Sequence, residues 1–182
     1  LHRGFGAILL HSKTNEIFIH KRSRTKKVFP SMLDMFIGGV SLHKEPVLTT
    51  LVRELDEEVG INLTALPKSA ISDQSGNTRD FPQDSSVVAY IGTQTIQTKM
   101  NHAVVDCFIV RLSEEQASQI QFKDGEIESG EWMSLGRLLE LVEGDGEKLF
   151  VPDGMQVQYV CVYMLYISPC MYLCISVCLL LR

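Results

Sequence analysis

Gly39-Val-Ser-Leu-His-Lys-Glu45-Pro46-Val-Leu48-Thr-Thr-Leu51-Val52-Arg53-Glu54-Leu55-Asp56-Glu57-Glu58-Val59-Gly60-Ile61 contains a helix whose two ends are legible in its own residues. Pro46 suits a first helical position, where its missing N–H is not needed, and Gly60 suits a left-handed C-terminal cap. Leu48, Leu51, Val52, Leu55 and Val59 recur at three- and four-residue steps and predict one buried face. Glu54, Glu57 and Glu58 stand at i, i+3 and i+4, so their carboxylates are expected on another face, with Asp56 pointing elsewhere. These acids repel one another and lie in the last turns, where the helix dipole also disfavours negative charge. A bound cation would offset both costs, and hard oxygen ligands suit Mg²⁺ or Mn²⁺ better than Zn²⁺. The competing interpretation is a solvated acidic face, which is what most charge runs are.

Spacing decides between them. Gly39, five residues, Glu45, seven residues, then Arg53-Glu54-aliphatic-x-Glu57-Glu58-x-Gly60-aliphatic reproduces the Nudix box at every defined position. The chain therefore resembles a Nudix hydrolase. The resemblance implies an α+β Nudix fold, an α/β/α sandwich with a mixed central β-sheet. It implies Glu54, Glu57, Glu58 and the Gly39 carbonyl as ligands of Mg²⁺ or Mn²⁺. Arg53 would orient the catalytic glutamates, and Glu45 and Gly60 would shape the box. Lys44 and Thr49-Thr50 depart from the commoner form, at positions expected to alter loop shape and packing rather than chemistry.

At 182 residues the chain suits one well-buried domain, and a net charge of −5 leaves no basic footprint for nucleic acid. It starts at Leu1 rather than Met, so the N-terminus is expected to be incomplete, and no signal peptide is visible there. Cys107 is the one cysteine of the body, which fits a reducing, cytoplasmic setting.

Gly4 to Leu10 and Glu16 to His20 predict a β-hairpin. The basic run Lys21 to Lys27 follows, then Pro30, Leu33-Asp34 and Gly38-Gly39. This arm is similar to that of Nudix proteins related to isopentenyl-diphosphate isomerase, and it implies that Arg22 and Lys26 contact a substrate diphosphate. A solvated loop is the plainer alternative. Asn62 to Pro67 is expected to enter a short strand, and Ser69 to Ser86 to be a loop over the substrate. Val87 to Gln97 and Ala103 to Arg111 predict an antiparallel pair, with His102 in the turn between them. Ser113 to Gln116 has the form of a capping box. By resemblance Glu126 is a further metal ligand or general base, and the base stays open among Glu54, Glu57 and Glu126. Trp132 is expected in the core. Ser134 should cap a helix from Leu135 to Val142, which Gly144-Asp145-Gly146 should end.

The resemblance implies hydrolysis of a diphosphate linkage in a nucleoside diphosphate derivative or related organic diphosphate. An isomerase is the first alternative, but Met35-Phe36-Ile37-Gly38 occupies the stretch where its cysteine is expected, and Cys107 is distant in sequence. A non-catalytic binding module is the second, although every box glutamate is present. The domain is expected over residues 1–153. Residues 154–182 form an atypical apolar tail in which Tyr159 to Leu181 carries no charge. That tail reads as a gene-model artefact or a membrane anchor. The partner expected is a small-molecule diphosphate, with a homodimer left open by the resemblance.

Overall fold

A computed structural model describes residues 2–63, 71–72, 87–97 and 102–152. The expected hairpin is present as β1 (His2–His11) and β2 (Ile17–Arg22), joined at Leu10↔Ile17. β3 (Leu33–Asp34) pairs with β2, and β4 (Phe36–Val40) pairs antiparallel with β1. After α1 (Val47–Val59) come β5 (Ile71–Ser72), β6 (Val87–Gln97) and β7 (His102–Leu112). α2 (Glu114–Ser118), β8 (Ile127–Met133) and α3 (Leu135–Leu149) complete the order. The sheet is mixed: β1 runs parallel to β7 along its length, while β6–β7 and β2–β8 are antiparallel.

Alternation along β1 builds the layers. Phe5, Ala7 and Leu9 pack with Leu51, Leu55 and Val59 of α1 and Ala117 of α2. Ile8 and Leu10 pack on the opposite side with Leu138 and Val142 of α3 and with Phe150. Successive strand side chains point to opposite faces, so one strand seeds two cores. The expected α/β/α sandwich is the result. Phe18 follows the same rule onto the α1 side, where Trp132 meets it edge-on with ring centroids 5.3 Å apart.

Several details differ from the sequence expectations. Pro46 is the N-cap, with extended backbone at ψ 137, and the helix begins at Val47. Gly60 does cap left-handed, at φ 73. His102 opens β7 opposite Gln97 rather than sitting in the turn. α3 does not stop at Gly144-Asp145-Gly146. It kinks at Asp145 (φ −107) and continues, because buried Phe150 anchors its far end and bridges back to Leu33. Asn62 and Leu63 are not in a strand and the rest of the stretch to Pro67 lies outside the described residues, whereas Ile71–Ser72, inside the expected loop, pairs parallel with β6. The rest of the Ser69 to Ser86 loop, the turn at 98–101 and the tail at 154–182 lie outside the described residues. Among the described residues no helix is long and apolar enough to cross a membrane.

Candidate active site

α1 distributes its acids unequally. Glu58 is buried at 5 % exposure, the Glu54 side chain is 16 % exposed and that of Glu57 is 53 %. Each helical residue turns by about 100°, so Glu54 and Glu58 nearly superpose while Glu57 stands off to the side. The expected shared face is therefore graded from interior to solvent.

Glu58 meets acids from a second element. Asp124-Gly125-Glu126 turns into β8, with Gly125 at φ 76 and the Glu126 N–H donating to Asp124 Oδ1 at 2.8 Å. The Ser23 N–H donates to the Glu126 carbonyl at 2.8 Å and fastens this turn to the basic arm. Carboxylate oxygens of Glu58, Asp124 and Glu126 consequently lie within 4.8 Å of one another. Burial, reinforced by Glu126 and Asp124, pushes the Glu58 carboxyl up to about 8. The Lys26 ammonium rests on Glu126. Against the same face, a Cβ at Gly39 would stand 2.5 Å from Glu54 Oε1, so a side chain there would displace that carboxylate. The Gly39 carbonyl oxygen lies where a side chain on Gly4 would stand. Burial also raises Glu54.

Arg53 joins the ends of the box. Its guanidinium reaches Glu45 at 3.3 Å, Glu54 at 2.9 Å and Glu57 at 3.0 Å. Glu45 also accepts from the Leu42 N–H at 3.1 Å and from the buried Thr50 hydroxyl at 2.9 Å. These bonds, led by Arg53, hold its carboxyl below the usual range. Thr50 thus helps fix the loop, and Lys44 crosses it with left-handed backbone, φ 64, where glycine would be unstrained.

The basic arm splits into two roles. Lys26 joins the acids, but Arg22 is spent on its own loop. It donates to the carbonyls of Val28 and Phe29, each at 3.2 Å, and pairs with buried Asp34 at 3.5 Å. Burial pushes Asp34 up to about 6. His20, 3 % exposed, has no partner for Nδ1 among the described residues. Burial, with Arg22 and Lys26 nearby, lowers it to about 3, so the imidazole is neutral. It walls a small polar cavity of about 20 Å³ with Arg22, Lys26, Glu58 and Glu126. A cleft of about 440 Å³ lies alongside, and Arg22, Phe36 and Gly38 line both. Cys107 reaches this cleft from β7, its thiol pushed by burial up to about 12.

Sequence reasoning missed Asp124, His20, Asp34 and the placement of Cys107. Asp124 carried one usable signal: it precedes Glu126 by two residues across a glycine. The donor set of Glu54, Glu58, Asp124 and Glu126 is made of hard oxygens. A buried acid among like charges is what a divalent cation would stabilise.

Comparison with known proteins assigns the lineage. A NUDIX domain family matches residues 1–153, most of the chain, which therefore belongs to the Nudix hydrolase family. A Nudix hydrolase of Streptomyces coelicolor, SCO1686, is 46% identical over 44 residues, 24% of either chain. The match thus spans about a quarter of that relative. DR0079 of Deinococcus radiodurans superposes with a TM-score of 0.65 at 18% identity, covering 88% of this chain and 82% of that one. The NUDIX domain of Shewanella oneidensis NrtR, solved with ADP ribose, gives 0.59 at 13% identity and coverages of 92% and 88%. Such distant identities establish a shared fold.

Proposed function

We propose that the protein hydrolyses the diphosphate linkage of a nucleoside diphosphate derivative or related organic diphosphate, with Mg²⁺ or Mn²⁺. The observation that carries this reading is the meeting of Glu58, Asp124 and Glu126 within 4.8 Å, beside Glu54 and next to an open cleft. Glu58, Asp124 and Glu126 would hold the cation, with Glu54 beside them and Glu57 at the solvent edge. Bound there, a divalent cation would neutralise phosphate charge, polarise phosphorus and make a water more acidic.

The protein's own groups supply the remainder. Lys26, seated on Glu126, stands where a diphosphate oxygen would meet a positive charge. Arg22 lies at the junction of the two cavities and sets the wall between them. Of the three base candidates, Glu57 stands exposed at the solvent edge and Glu126 carries Lys26. Glu54, mostly buried beside the oxygens of Glu58, Asp124 and Glu126, is assigned the general base. Family membership and the fold shared with a domain that binds ADP ribose support a nucleotide-like substrate.

Cys107 gives the isomerase reading one observation in its favour, since the fold brings a thiol to the cleft despite its distance in sequence. A panel containing ADP-ribose, diadenosine tetraphosphate and isopentenyl diphosphate separates the two, incubated with Mg²⁺ or Mn²⁺. Cleavage of a phosphoanhydride bond supports hydrolysis. Isomerisation of isopentenyl diphosphate without phosphate release would replace it.

A further inference from the structure

We propose that His20 is a positioning residue for the acid cluster: its Nδ1 accepts from one water enclosed in the cavity of about 20 Å³, and that water donates in turn to Glu58. The proposal rests on the reading of Glu58, Asp124 and Glu126 as the metal site and adds to it a residue from another element.

His20 comes to the cluster from β2. Phe18 packs on the α1 side of the sheet and Ile17 and Ile19 on the α3 side, so alternation turns His20 toward α1. Its neighbour in register on β8 is Gly130, which sets no side chain beside the imidazole. The residue is 3 % exposed, and Nδ1 has no hydrogen-bond partner among the described residues. Buried polar atoms are nearly always partnered, because leaving one unpaired costs its full desolvation. Packing does not account for the choice, since a leucine would fill the position without that cost.

The cavity supplies the partner. His20, Arg22, Lys26, Glu58 and Glu126 line it, and its volume takes one water, which needs roughly 10–15 Å³ and at least two polar contacts. Donors and acceptors balance. Arg22 spends its guanidinium on Val28, Phe29 and Asp34, which leaves Lys26, beyond its contact with Glu126, to donate to the water. The water's two protons then go to Nδ1 and to the Glu58 carboxylate. Acceptance at Nδ1 sets the imidazole tautomer, with the proton on Nε2. Asp124 stands outside this wall, so the water lies to one side of the three acids and fixes Glu58 from there. Outer partners of this kind orient metal-holding carboxylates, and their loss typically costs about 10- to 100-fold in metal affinity.

Mn²⁺ alone is the probe, its free fraction read by electron paramagnetic resonance in titrations of the full chain. The parent is expected to bind Mn²⁺ saturably, and His20→Leu to bind it about tenfold more weakly. His20→Asn should restore most of the affinity, because its amide oxygen is attached to Cγ as Nδ1 is. His20→Gln, which carries its oxygen one carbon further out, should not. Imidazole nitrogen NMR of the metal-free chain, with His20 assigned by its loss in His20→Asn, should show Nδ1 unprotonated. Equal affinity in the parent and His20→Leu, equal weakening in His20→Asn and His20→Gln, or a proton on Nδ1 would overturn the proposal. If His20→Leu does not fold, the comparison of His20→Asn with His20→Gln decides. If the parent fails to bind Mn²⁺, the metal-site reading falls and the role of His20 with it. Binding that is lost in Glu58→Gln but unchanged in every His20 variant leaves the metal site standing and removes His20 from it.

Discussion

The Arg53 guanidinium lies 3.3 Å from the Glu45 carboxylate, tying the loop before α1 to a helix turn that carries Glu54 and Glu57. Arg53 is thus a brace that serves the acids without standing among the clustered oxygens. Its planar fork reaches Glu45 from one nitrogen and Glu54 and Glu57 from another, a spread that the single nitrogen of a lysine lacks. Arg53→Lys is expected to lower kcat/KM about tenfold, as small misplacement at a reacting centre does. Steady-state kinetics across a Mg²⁺ titration checks this, with circular dichroism verifying the fold.

Glu58 couples stability to pH. Its folded carboxyl is raised to about 8, above its value in an unfolded chain. Folding therefore takes up a proton between roughly pH 4.5 and pH 8, and stability falls as pH rises through that window. Glu58→Gln should remove this slope and stabilise the metal-free protein by at least about 1 kcal/mol at pH 8. Denaturant unfolding in EDTA at pH 5 and pH 8 measures both effects. Added Mg²⁺ should flatten the slope of the parent protein and leave that of the variant unchanged.

Lys44 offers a test without chemistry. Its left-handed backbone costs an L-residue roughly 1–2 kcal/mol, while glycine pays about 0.5–1 kcal/mol in unfolded-chain freedom. Lys44→Gly should raise stability by a net of about 0.5–1 kcal/mol. A thermal melt that falls instead would mean the lysine side chain contributes to the loop.

Lys26 should act on substrate more than on the fold. Lys26→Gln removes the cation beside Glu126 and is expected to raise KM for a diphosphate substrate about tenfold, with a smaller change in kcat. Unchanged KM would return the basic arm to the plain solvated loop.

What was readable in the sequence is what local interactions dictate. The Gly60 cap, the Ser113–Gln116 capping box and the β-branched and aromatic strands β6 and β7 all depend on near neighbours, and each formed as expected. Helix rotation against the sheet is a tertiary outcome. Spacing grouped Glu54, Glu57 and Glu58, but only packing against the sheet buries Glu58 and leaves Glu57 in solvent. Asp124 and His20 were invisible for the same reason, since a turn before β8 and a strand end meet α1 only in three dimensions. Cys107 was set aside for its distance in sequence, yet parallel pairing of Gly6 with Cys107 brings it beside the first strand. The kink in α3 was misread as a stop because glycines weaken a helix locally, whereas the buried Phe150 beyond them decides where it ends.

The most direct measurement is the rate of phosphoanhydride cleavage across the diphosphate panel, for the parent protein and Glu58→Gln, in EDTA and in saturating Mg²⁺ or Mn²⁺. Cleavage by the parent is expected only with the divalent cation. Glu58→Gln should lose at least about a hundredfold while remaining folded. Equal metal-dependent rates in the two proteins would contradict the assignment of the Glu58, Asp124 and Glu126 cluster as the catalytic metal site.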